Sequence, residues 1–152
     1  MNEISSPLKS IIENISKVRT RKTPENGSPH KFIFLLCLIK LYEIDANRLN
    51  KFYLNEELER LFNNAWMENI GQDQERNAIE HPFYHLQSDG FWFLSVKKGY
   101  EYLYDLYKES KNIRLTKRRI IETVDYGYLR EDFHICFKDM SCRNILKKIL
   151  IE

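Results

Sequence analysis

Apolar residues recur at helical spacing along most of the chain. Between Pro7 and Lys22, Leu8, Ile11, Ile12, Ile15 and Val18 fall on one face of a helix and leave Lys9, Lys17 and Arg19 outside it. The stretch TPENGSP that follows is loop chemistry, with prolines at both ends of an Asn-Gly pair. Phe32 to Ile39 is then apolar without a break and continues through Leu41 and Tyr42, which predicts a buried central helix with Ser28 as its N-cap and Pro29 in its first turn. A short strand is expected over Lys51 to Leu54. Asn55 is placed to cap a third helix, on which Leu58, Leu61, Phe62, Ala65 and Trp66 share a face. Glu68 to Glu80 is polar, contains Gly71, and reads as a loop.

The period changes in His81 to Val96, HPFYHLQSDGFWFLSV. Two runs of aromatic and branched residues flank Gln87, Ser88, Asp89 and Gly90, and Ser-Asp-Gly is turn chemistry because Gly90 tolerates a positive φ. The pattern predicts a β-hairpin, entered through a proline that has no N–H to give to a ladder. Helical spacing returns at Tyr100, Leu103, Tyr104 and Tyr107, which read as the edge of a core. Thr116 is expected to cap a helix carrying Ile120, Ile121 and Val124, and another helix is expected near Leu129 to Phe137. The last helix, from about Ser141, puts Ile145, Leu146, Ile149 and Leu150 on one face and Lys147 and Lys148 toward its C-terminal end. The pattern as a whole predicts a mainly α (α+β) fold, a helical domain with a winged-helix-like core and one β-hairpin.

At 152 residues the chain is expected to form a single domain, residues 1–152, with one core. The longest apolar run is far too short to span a bilayer and the first ten residues lack the apolar centre of a secretory signal, so no membrane partner and a cytoplasmic location are expected. Cys37, Cys136 and Cys142 are odd in number and lack a C-x-x-C pair, which favours reduced thiols over a disulfide or a metal site. The net charge of +2 conceals an uneven distribution. Lys17, Arg19, Arg21, Lys22 and Lys31 cluster early, Lys111, Arg114, Lys117, Arg118 and Arg119 cluster late, and acids concentrate between Glu56 and Glu80.

Candidate chemistry is sparse on the catalytic side. There is no G-x-S-x-G, no Walker-type glycine loop and no H-E-x-x-H. His81 and His85, with His30, leave a small metal-dependent hydrolase as one alternative, but no carboxylate or cysteine stands beside them at a tight ligand spacing. The chain therefore reads as non-catalytic, with no cofactor. Nucleic-acid binding accounts for more of it. His30 and Lys31 open a helix, where free N–H groups and the helix dipole favour a phosphate. Helices, a hairpin and basic flanks also allow a second alternative, a winged-helix DNA-binding regulator.

SPHKFIFLLCLIKLY, LNEELERLFNNAW and HPFYHLQSDGFWFL together resemble the sulfur-binding domain of type IV, HNH-type restriction endonucleases, the module that recognises phosphorothioate DNA. The resemblance covers most of the chain. It is most specific at the His-Lys start of the apolar helix, at Pro-Phe-x-x-Leu, and at Asp-Gly-x-Trp. The chain departs from the family pattern at Phe32, where proline is frequent, at His81, where another aromatic is frequent, and at His85, where a small residue is common.

The resemblance implies a double-stranded DNA partner bearing a phosphorothioate, and a fused or partner nuclease domain. It places a sulfur pocket at Pro82, His81, His85, His30 and Lys31. Lys31 is then the candidate for the remaining phosphate oxygens, and Gln87 and Ser88 for base edges or neighbouring phosphates. Arg19, Arg21, Arg114, Lys117 and Arg118 are candidates for backbone contacts, while Phe83 and Trp92 are assigned to the core. The DNA sequence context and the oligomeric state stay open.

Overall fold

The computed structural model describes residues 6–19, 29–71, 78–112 and 115–151. Along the chain these form α1 (Ser6–Arg19), α2 (His30–Ile44), α3 (Glu56–Asn69), α4 (Glu80–His85), a 3₁₀ turn (Leu86–Asp89), β1 (Trp92–Val96), α5 (Glu101–Glu109), α6 (Lys117–Thr123), β2 (Val124–Leu129), α7 (Glu131–Lys138) and α8 (Met140–Ile151). The class is the expected one, mainly α with a small antiparallel β part.

The fold is built around α2. Phe32 to Ile39, Leu41 and Tyr42 are all buried, so this helix has almost no solvent face and α1, α3, α4, α7 and α8 pack around it. Each large apolar side chain buried in this way contributes roughly 1.5–3 kcal/mol relative to exposure. The ring of Phe34 lies 6.0 Å from Phe83 and 5.3 Å from Trp92, joining α2 to α4 and to β1. Two of the three predicted caps are present. The Asn55 side chain accepts from the Leu58 N–H at 2.9 Å, and Thr116 accepts from the Arg119 N–H at 3.3 Å. Pro29 occupies the N-cap position of α2 rather than its first turn, and its carbonyl accepts from Ile33; Ser28 lies outside the described residues.

The expected hairpin at His81 to Val96 is corrected. Its first arm is helical, as α4 and the 3₁₀ turn, and only Trp92–Val96 is a strand. Pro82 is the third residue of α4. N–H groups in a first turn have no intrahelical acceptor, so a proline there forfeits no hydrogen bond, and its fixed φ suits the helix. Gln87 and Ser88 turn their side chains back to the carbonyls of Tyr84 and His85, at 2.9 Å each, which favours a helical turn over a β-turn. Gly90 does adopt the anticipated positive φ, 87°, and ends the turn.

β1 pairs instead with β2, from Trp92↔Leu129 to Ser95↔Tyr126, with a bulge before Val96↔Val124. Val124 thus begins a strand rather than continuing α6, and α7 starts at Glu131, after the strand has ended. Gly127 in β2 has a packing reason: a Cβ at this position would run into the indole of Trp92. The strand expected over Lys51 to Leu54 is reduced to one bridge, in which Phe52 and Gly127 exchange two hydrogen bonds of 2.8 Å. The thiol reading is corrected as well. Cys136 and Cys142 form a disulfide where the end of α7 meets the start of α8, their Cα atoms 5.4 Å apart. Cys37 is free and buried, and burial pushes its thiol up to about 12. No described helix is long and apolar enough to cross a membrane.

Candidate nucleic-acid interface

The N-terminus of α2 and the short helix α4 pack together, and this contact assembles most of the candidate residues. His81 and His85 are i and i+4 on α4, so their rings share a face and stack, with centroids 6.3 Å apart and planes 16° from parallel. His30, from α2, meets His81 edge-on at 6.1 Å and lies 4.7 Å from the ring of Trp66 on α3. Burial lowers the pKa of His30 and His85, and in both the neighbouring His81 lowers it further. Both rings therefore favour the uncharged form more than a free imidazole does, although Glu80 opposes the shift at His30. Among the described residues, no group of histidine, cysteine and carboxylate side chains is arranged to hold a metal ion.

Lys31 reaches from α2 to the 3₁₀ turn. Its ammonium lies 2.8 Å from the Asp89 carboxylate and donates to the Ser88 hydroxyl at 3.1 Å, while that hydroxyl donates to the His85 carbonyl. The Asp89 side chain is only 7% exposed, so this pair is better shielded from water than an ordinary surface ion pair. The turn is thereby tied to α2, with Lys31, Ser88, His85, His81 and His30 in one connected patch.

Pro82 is buried, whereas His81 and His85 on either side of it are exposed. Gln87 donates from its side-chain amide to the Tyr84 carbonyl. Lys117 is paired with Glu59 of α3 at 2.8 Å, and Arg118 is exposed on α6, which packs against α4. Arg21 and Arg114 lie outside the described residues, as does the side chain of Arg19.

Two members of the site escaped the reading of the sequence. Asp89 registers there only as a turn residue, and nothing local marks it as the partner of Lys31. Trp66 looks like one more apolar position on α3, yet it carries the ring against which His30 packs, and its buried Nε1 has no hydrogen-bond partner among the described residues. Behind the site, the Trp92 Nε1–H donates to the Phe83 carbonyl at 2.8 Å, which locks α4 to β1.

A family model described as "ScoMcrA-like, DNA sulfur-binding domain" matches residues 8–134, a span that contains the whole patch from His30 to Asp89. No curated protein matches the chain.

Proposed function

Since the chain belongs to the ScoMcrA-like DNA sulfur-binding domain family, we propose that it binds double-stranded DNA bearing a phosphorothioate linkage, and does so where α2 meets α4. The observation that carries this reading is the pairing of a lysine ammonium with imidazole ring faces in one patch. Replacing a non-bridging phosphate oxygen by sulfur keeps the charge but gives a larger, softer and less hydrated atom that accepts hydrogen bonds poorly. A surface selecting it supplies polarisable contact and withholds donors at the sulfur, while meeting the charge nearby.

His81 and His85 offer that contact through their ring faces. Pro82 withholds an N–H from the first turn of α4. An ordinary phosphate oxygen seated there loses water without gaining a bond, a penalty of about 1–3 kcal/mol, or roughly 10-fold to 100-fold in affinity. Lys31 has three donors, of which Asp89 and Ser88 engage two, and the third serves a phosphate oxygen. Ser88, Gln87, Lys117 and Arg118, with Arg19, Arg21 and Arg114, are assigned to the surrounding DNA backbone and bases. The whole of 1–152 acts as one recognition domain, and its bound DNA is handed to the nuclease of a restriction system.

A binding titration with two duplexes that differ by one sulfur atom tests the proposal. Tighter binding of the sulfur duplex is expected, and equal affinity rejects it.

A further inference from the structure

The outer face of the β unit carries a ladder of aromatic rings that takes no part in the histidine patch. Phe93 and Tyr128 are cross-strand partners with centroids 5.4 Å apart, Tyr128 and Tyr126 follow at 6.0 Å, and Tyr53 adds a fourth ring 5.9 Å from Tyr126. Tyr53 reaches the sheet because its neighbour Phe52 bridges Gly127. Phe93 is 36% and Tyr53 47% exposed, Tyr126 and Tyr128 are half-buried, and the other face of the sheet is backed by the fully buried Trp92. The Lys51 ammonium stands over the Tyr126 ring at 4.9 Å.

At the Tyr53 end the ladder runs into a cleft of about 600 Å³ lined in part by Arg48, Lys51 and Arg60, with Asp45 and Glu57 as its acids. Its lining carries three cations and two carboxylates among apolar side chains, the Arg48 guanidinium donates to the Leu49 and Lys51 carbonyls, and Lys51 and Tyr53 belong both to the cleft and to the ladder. A cleft of net positive charge that continues into a row of partly exposed rings suits a polyanion whose charges lie along a backbone and whose flat, apolar groups project from it. Single-stranded nucleic acid has this form: phosphates follow the groove while unpaired bases stack on the rings, with little regard to sequence. A duplex keeps its bases stacked on one another and offers the rings nothing.

We propose that the outer face of the β unit, Phe93, Tyr128, Tyr126 and Tyr53, with Lys51 and the adjoining cleft, is a second nucleic-acid site that takes unpaired bases of a single strand. It is independent of sulfur and of the α2–α4 patch.

The test is fluorescence anisotropy of the full chain with a short labelled oligothymidine whose phosphates are unmodified, and with the same strand annealed to its complement. Binding of the single strand is expected, with the duplex, which the α2–α4 patch holds, insensitive to Tyr53→Ala. Tyr53→Ala and Tyr126→Ala are each expected to weaken single-strand binding roughly ten-fold, and Tyr126→Phe to leave it nearly unchanged. Thermal unfolding of Tyr53→Ala checks that this exposed substitution leaves the fold intact. No single-strand binding, or binding indifferent to Tyr53→Ala, overturns the proposal. Sedimentation showing a dimer that Tyr53→Ala dissociates also overturns it, since the face then covers a second copy of the chain.

Discussion

Lys31 and Asp89 stand 58 positions apart in the chain, yet the ammonium of one lies 2.8 Å from the carboxylate of the other. This pair fixes where the lysine charge sits relative to His81 and His85. If Lys31 serves the phosphate charge rather than the sulfur, Lys31→Ala weakens sulfur and plain duplexes by the same factor, about ten-fold at low salt. It also reduces the slope of log affinity against log salt by about one. Titrations at several salt concentrations measure both quantities.

Pro82→Ala places an N–H where the first turn of α4 now has none. The sulfur duplex is expected to lose affinity and the plain duplex to change little, so the ratio of the two falls. Because alanine suits a helix, unfolding in urea is expected to shift by no more than about 1 kcal/mol. An unchanged ratio shows that Pro82 acts only in packing.

Trp92 joins three parts of the fold: its Nε1–H bonds to the Phe83 carbonyl, its ring meets Phe34, and it fills the space beside Gly127. Trp92→Phe leaves the buried Phe83 carbonyl without this partner, at a cost of about 1–3 kcal/mol. Gly127→Ala is expected to destabilise by a similar amount, about 1–3 kcal/mol, through overpacking against the indole. Urea denaturation measures both.

The histidines predict opposite acid responses for stability and for binding. His30, His85 and His134 are all held below the ordinary imidazole value of 6.5, with burial the largest cause in each. The unfolded chain therefore takes up protons before the folded one. The stability these groups contribute is complete above 6.5 and is lost as pH falls through their lowered values. DNA supplies phosphates that favour imidazolium, so affinity for plain and sulfur duplexes alike is expected to rise over the same fall in pH, while the preference for sulfur narrows because imidazolium adds donors. His85→Gln is expected to flatten both trends, read by urea unfolding and by duplex titration between roughly pH 7 and pH 5.

Much of the helical scaffold was legible along the chain because its causes are local. A segment apolar on every side, as from Phe32 to Tyr42, has no face to give to water, so it becomes the central helix. Asn55 and Thr116 cap because a side-chain oxygen needs only the N–H three residues ahead. His30 and Lys31 were placed at a helix start for the same kind of reason. The aromatic run of His81 to Phe93 misled, because a short helix with its apolar residues buried and a strand look alike over so few positions. The proline settles the matter only once its place in a first turn is known.

The central helix α2, the caps at Asn55 and Thr116 and the turn at Gly90 could be read along the chain because they follow from interactions within a few residues. Only the tertiary structure decided that β1 pairs with β2, that Cys136 meets Cys142, that Asp89 holds Lys31, and that His30 joins His81. Each of these contacts is made by packing around a shared core. The spacing of residues along a chain carries no information about which distant surface that packing will bring alongside.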